Sequence, residues 1–260
     1  MADLVDLLKP KERRGSKARC HFLTHGSTNE VAVRLTRVAP RFARVSVDDR
    51  WMPRGFSDRE EAQLHKAERL LGPSVCKQLR EWWFAKANPQ SKSPNFDIAS
   101  TCTIEDKRGV LLIEAKAHDQ ELINETAGKR LKVASSEGTL SNHRRIGMVI
   151  DAACRGLESA TSLEFHISRD THYQMSNRFA WSWKLTALGF PVVLVYLGFL
   201  NASEMRDKGS SPFPDRSVWK RVVKTHSDPL FPFEVWGRRW TCNGQAFVPL
   251  IRSFNQPLPA

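Results

Sequence analysis

Asp97, Glu114 and Lys116 are the residues of this chain whose types and spacing best suit chemistry. They lie in SPNFDIASTCTIEDKRGVLLIEAKAH, from Ser93 to His118, where two largely apolar runs read as the arms of a β-hairpin over 95–105 and 109–117. Side chains alternate across a strand, so Glu114 and Lys116 share a face with Val110 and Leu112, while Leu111, Ile113, Ala115 and Ala117 line the other. A turn around Asp106-Lys107 sets Asp97 opposite Lys116 and diagonal to Glu114, within side-chain reach. A slip of one residue would send Asp97 to the wrong face. With that register, two carboxylates and an ammonium converge. The carboxylates repel unless a cation joins them, and hard oxygen donors suit Mg²⁺ or Mn²⁺. Such a cation acidifies a bound water and neutralises charge on a phosphate, while the lysine orients that water. The plain alternative is an aspartate that caps a strand beside a surface Glu114–Lys116 ion pair.

The elements that must position these residues follow from periodicity. SDREEAQLHKAERLLGP reads as a helix, with Ser57 and Glu60 as a capping box, Leu64, Ala67 and Leu71 as the apolar stripe, and Gly72-Pro73 as the stop. SVCKQLREWWFA is a second helix. After the hairpin comes a polar stretch over 120–140, expected as a loop or short helix. NHRRIGMVIDAACRGL follows as a helix with Ile146, Val149, Ile150, Ala153 and Leu157 on one face. LEFHIS alternates as a strand, YQMSNRFAWSWKLTALG reads as a helix ending at Gly189, and FPVVLVYLGFL reads as a strand covered on both faces. DRSVWKRVVKTH suggests a helix, and the last segment a hairpin turning at Asn243-Gly244. The order implies an α/β fold, a mixed central β-sheet flanked by helices. Residues 1–56 read as a basic N-terminal extension with strand-like pieces over 30–47. Residues 57–200 read as the core, and 201–260 as a C-terminal extension packing on it.

Here the sequence resembles the PD-(D/E)xK nuclease superfamily. PNFD (Pro94–Asp97) and EAK (Glu114–Lys116) carry the resemblance, which spans 57–200 and implies a restriction-endonuclease-like core. Pro and Asp stand three apart here rather than adjacent. The resemblance implies metal binding by Asp97 and Glu114, catalysis by Lys116, Mg²⁺ (or Mn²⁺) as cofactor, and endonucleolytic hydrolysis of DNA in preference to RNA. It also draws in a further acidic ligand from the preceding helix, Glu61 or Glu68, and a polar residue on the later helix, Gln174. The Gln-to-Tyr pattern of some relatives is broken, because Arg178 stands where the Tyr would be. His118 continues the Glu114/Lys116 face and could touch a phosphate or metal.

Forty Lys and Arg against 28 Asp and Glu leave a net charge of +12, which favours a polyanionic partner. Candidate nucleic-acid contacts are Arg144 and Arg145, Lys220 and Arg221, and Arg238 and Arg239, the last two pairs flanked by tryptophans able to stack on bases. A non-catalytic nucleic-acid-binding or assembly subunit is the alternative. Either can act as a homo-oligomer or within a larger DNA-processing complex. Five widely spaced cysteines, with no CxxC, argue against a zinc ribbon or disulfide framework. With no signal peptide in Met1–Leu8 and no apolar run long enough to span a bilayer, the expected location is the cytoplasm.

Overall fold

Val192–Phe199 is buried at every position, as its uninterrupted apolar character requires, and it forms the strand on which the fold is built. The structure is a computed structural model and describes residues 2–86, 91–131, 135–206 and 209–258. Its strands are β1 (Trp51–Met52), β2 (Ala62–Gln63), β3 (Asn95–Phe96), β4 (Ile98–Ile104), β5 (Lys107–Lys116), β6 (Val192–Phe199), β7 (Trp240–Cys242) and β8 (Gln245–Phe254). Its helices are α1 (Ala2–Asp6), α2 (Gly15–Leu23), α3 (Thr28–Val38), α4 (Glu68–Leu71), α5 (Pro73–Trp83), α6 (Gln120–Ile123), α7 (Glu137–Thr161), α8 (Tyr173–Ala187) and α9 (Arg216–Ser227).

Six strands form one mixed sheet in the order β1-β4-β5-β6-β8-β7. The three central strands β5, β6 and β8 run parallel, and the outer pairings are antiparallel. Parallel neighbours need crossovers. The first, from β5 to β6, contains α6, α7 and α8; the second, from β6 to β8, contains α9. The chain is therefore α/β with a mixed central sheet flanked by helices.

Strand alternation splits the core in two. Val110, Leu112, Leu194, Tyr196 and Phe247 face the layer of α5, α7, α8 and α9. Leu111, Ile113, Val193, Val195, Val248 and Leu250 face α2 and α3. The division of β5 between two faces is the one its alternation implies. Among the described residues, no helix is long and apolar enough to cross a membrane.

Several expectations are corrected. The strand-like pieces over 30–47 are replaced by α3, whose capping box is Ser27/Glu30: the Glu30 amide donates to Ser27 Oγ and the Ser27 amide to the Glu30 carboxylate. Leu23, Val31 and Leu35 of α2 and α3 are fully buried, each contributing roughly 1.5–3 kcal/mol. The helix expected over 57–71 does not form. Ser57 Oγ donates to the Arg54 carbonyl instead of capping, Ala62-Gln63 pairs with β3, and only Glu68–Leu71 is helical. Leu64, Ala67 and Leu71 are still buried, because that spacing also serves a strand followed by a short turn of helix. LEFHIS keeps its alternation, with Phe165 and Ile167 buried, but joins no sheet. Its amides bond elsewhere, Phe165 N to Glu158 Oε1 and His166 N to the Leu230 carbonyl. The polar stretch over 120–140 contains α6 and the start of α7, and 132–134 lie outside the described residues. The Asn243-Gly244 turn forms as expected, both residues with positive φ.

Candidate active site

The hairpin turns one residue earlier than its sequence suggests, at Glu105-Asp106, both in the left-handed region. Ile104 pairs with Lys107 and Ile98 with Ile113, the last pair of the ladder; extended by one residue, that register sets Asp97 level with Glu114 rather than Lys116. A shift of two residues conserves faces, so both carboxylates stay on the same side. Asp97 is also a branch point. Before it, β3 leaves the main sheet to pair with β2; after it, β4 pairs with β5. At that fork the Ala115 amide loses a ladder partner and donates instead to Asp97 Oδ2, at 2.7 Å. A buried amide needs some acceptor, so the break in the ladder is what holds the aspartate beside the end of β5.

Glu114 is almost wholly buried, and α8 supplies most of what makes that tolerable. Gln174 and Arg178 stand one turn apart, and positions four apart share a helix face. Gln174 Nε2 donates to Oε1 and Arg178 Nε to Oε2, the latter at 2.5 Å. Arg178 further donates to the Asn95 carbonyl opened by the fork and to Asn177 Oδ1, and its guanidinium lies over the Phe96 ring, 4.7 Å from the centroid. Lys116 Nζ completes the set at 2.6 Å from Glu114 Oε1. Burial works against the charge on Glu114, but Arg178 and Lys116 outweigh it and hold its pKa below the ordinary carboxylate value.

Lys116 is 5% exposed and is not on the cavity wall. Its ammonium lies between Glu114 and a second buried carboxylate, Glu125, in the short helical segment after α6. Burial disfavours the ammonium, but Glu114, Glu125 and Asp97 overcome that and hold the lysine pKa well above normal. Burial pushes Glu125 up to about 7 in spite of Lys116. His226 Nε2 lies 3.9 Å from Glu125, and burial presses its pKa down to about 4. Gly198, level with Lys116 on β6, admits the Trp219 ring; a Cβ there would come within 2.5 Å of it.

Asp97, Glu114 and Glu61 open onto one cavity of about 430 Å³ at the carboxyl end of β5, with Asn95, Lys92, Lys129 and the Gln174–Arg178 face as its other walls. Burial, and after it the charge of Glu114, push the Asp97 carboxyl well above its ordinary value. The donors suit a hard cation: all are carboxylate oxygens, and Asp97 carries the perturbation that a positive charge would relieve. Glu61 is held by Lys17 at 3.0 Å and by Asn95 Nδ2 at 2.8 Å. Among the described residues, no three His, Cys, Asp or Glu side chains form a ready ligand cluster. Oε1 of Glu114 accepts two hydrogen bonds and Oε2 one, which leaves one of the roughly four lone-pair sites of the carboxylate for a metal.

The other candidates are scattered. Glu68 begins α4, exposed and off the cavity. His118 is turned toward Glu121, 3.9 Å away, and also misses the cavity. None of the six basic candidates lines it. Arg145 Nε donates to the Trp82 carbonyl at the end of α5, and Arg239 pairs with Glu105. Lys220 lies over Phe233, while Arg144, Arg221 and Arg238 are exposed. Trp219 and Trp236 are buried, so neither is free to stack on a base. Sequence reasoning missed Glu125 and treated Arg178 only as a departure from a pattern. The polar residues Gln174, Asn177 and Arg178 on a largely apolar helix were the signal for Arg178. No local signal marks Glu125. No family model, curated protein or solved structure matches this chain.

Proposed function

We propose that this chain is a metal-dependent nuclease with a restriction-endonuclease-like core, hydrolysing phosphodiester bonds of DNA as an endonuclease. One observation carries the reading: Asp97 and Glu114 face a single cavity from the two arms of a forked hairpin, with Lys116 bonded to Glu114 behind them. Buried charge at this density is costly, and a purely structural role would be met more cheaply by apolar residues. Perturbed carboxyls converging in a cleft mark a candidate reaction centre.

Asp97 and Glu114 would hold the metal, with Glu61 at the rim. A bound Mg²⁺ or Mn²⁺ supplies a more acidic water and neutralises charge on the phosphate. The residues of the chain do the rest. Gln174, Arg178 and Lys116 fix the orientation of Glu114. Asp97 is fixed by the Ala115 amide. Lys116 orients the attacking water once Nζ turns from Glu125 toward the cavity. Water would then attack phosphorus in line, forming one P–O bond as the opposite P–O bond breaks; the attacking water gives its proton to solvent, and the departing oxygen takes one from solvent.

A second reading, a non-catalytic nucleic-acid-binding subunit of the same fold, draws support from the three donors that already engage Glu114. Cleavage of supercoiled, linear and single-stranded DNA with Mg²⁺, Mn²⁺ or EDTA separates the two. Metal-dependent nicking that is lost in Asp97→Ala and Lys116→Ala is the expected result. Binding without any cleavage by the wild-type chain would favour the second reading.

A further inference from the structure

A second cavity of about 370 Å³ adjoins the first, and Lys92 and Lys129 belong to the walls of both. Taken together across those two lysines, they make a surface groove of uneven charge. All of its carboxylates, Glu61, Asp97 and Glu114, stand at one end. Among the described residues the other end has none, and it carries Lys92, Lys129, Arg130 and His143.

The wall of the cationic end is built rather than incidental. The Lys129 amide donates to the Arg169 carbonyl at 2.8 Å, and the Lys129 carbonyl meets His143 Nε2 at 2.8 Å. Next to it, Gly128 packs against the Asp170 backbone so tightly that a Cβ would lie 2.1 Å from the Asp170 carbonyl oxygen. Across the groove, Asn142 Oδ1 accepts from the Ala85 and Lys86 amides. Among the described residues Lys129 pairs with no carboxylate. Its ammonium rests over the Tyr173 ring, 4.9 Å from the centroid. A half-buried ammonium held by an aromatic face keeps its charge available to an incoming anion.

We propose that this groove is the track of one nucleic-acid strand, with Lys92, Lys129 and Arg130 neutralising the phosphates beside the one that sits at Asp97 and Glu114. The inference rests on the reading above only for the identity of the end at which a bond is broken. It also relocates the contact surface: the basic pairs 220–221 and 238–239 lie off the groove.

The test is fluorescence anisotropy of the full chain with a labelled DNA oligonucleotide, single-stranded and duplex, in EDTA, between about 50 and 200 mM salt. Lys92→Gln, Lys129→Gln and Arg130→Gln should each weaken binding roughly fivefold at low salt, the effect of one ion contact in water. Each should also lower the slope of log affinity against log salt by about 0.7–0.9, one phosphate contact. Lys220→Gln/Arg221→Gln should change neither quantity. Lys92 and Arg130 are exposed, so they carry the test if Lys129→Gln lowers the melting temperature. The proposal is overturned if wild type does not bind, if the slope is unchanged in all three variants, or if the control pair carries the loss. Displacement of the oligonucleotide by inorganic phosphate at equal phosphate concentration would mark a small-anion site and overturn it too. Because binding is read without metal or cleavage, this result is independent of the cleavage assay, and either reading can fail alone.

Discussion

Asp97→Asn should make the metal-free protein more stable. Extending the β4–β5 register one residue beyond the Ile98–Ile113 pair sets the Asp97 and Glu114 Cβ atoms about 5 Å apart. Two unit charges at that separation repel by about 3 kcal/mol at an effective dielectric near 20. Lys116 returns part of this, and burial of Asp97 adds to it. Asparagine removes the charge yet keeps an oxygen for the Ala115 amide, so the net gain should be about 1–2 kcal/mol. In a chain of this size that raises the melting temperature by about 3–6 °C.

The pH dependence has a definite sign. A carboxyl whose folded pKa is raised contributes its full stability below the unfolded value and loses it as pH rises through the folded value, by about 1.4 kcal/mol for each unit between them. The advantage of Asp97→Asn should therefore vanish near pH 4 and be greatest at neutral pH and above. Thermal unfolding in EDTA at several pH values measures it. Adding Mg²⁺ should narrow or reverse the difference, because a ligand bound at 100 times its Kd stabilises the wild type by about 2.7 kcal/mol. If the variant is instead less stable than wild type at neutral pH in EDTA, Asp97 is a structural acceptor and the electrostatic argument for the site is wrong.

Glu114→Gln should act in the opposite direction. It leaves Arg178 buried without its anion, and loss of about 3–5 kcal/mol in urea unfolding at unchanged m is expected; a neutral outcome would mean that Asn95 and Asn177 suffice for Arg178. His65, bonded to Ser93 Oγ, has its pKa pressed by burial to about 4. Its unfolded form takes up a proton first, so stability should fall by roughly 2–3 kcal/mol as pH drops from 6.5 toward 4. His65→Asn should flatten that slope. His226 acts in the same direction, but its neighbour Glu125, raised to about 7, acts in the opposite one, so a slope unaltered by His65→Asn would assign the acid sensitivity elsewhere.

What could be read in advance was local. The faces of β5, the buried β6 and the last hairpin each follow from periodicity or turn chemistry within a few residues. The helix over 57–71 failed because the same apolar spacing fits a short strand and a turn, and pairing of Ala62 with Phe96, distant in sequence, decided between them. The Ser27/Glu30 box was legible but lay within a segment read for its arginines. The hairpin register was off by two because the chain turns at Glu105-Asp106, where two non-glycine residues accept positive φ. Arg178 and Glu125 reach the site across 64 residues to Glu114 and through a separate loop to Lys116, contacts that no local pattern encodes.

Those long-range partners also fix the charge balance, which bears most directly on the proposed chemistry. Among the described residues, three carboxylates, Asp97, Glu114 and Glu125, meet two cations, Lys116 and Arg178, so the cluster has one carboxylate more than it has cations. Arg178 and Lys116 secure Glu114 as the anion, and the excess falls on the other two acids, both of which are pushed up. A structural ion-pair network gains nothing from that deficit, since the unmatched carboxylate must hold a proton or bear its desolvation. A site built to receive a cation gains from it. On the proposed reading Asp97, which opens onto the cavity, is where an arriving cation would offset the excess negative charge, whereas Glu125 lies off the cavity as the partner from which Lys116 would turn. The same asymmetry explains why the two carboxylates of the hairpin should respond in opposite ways to neutralisation.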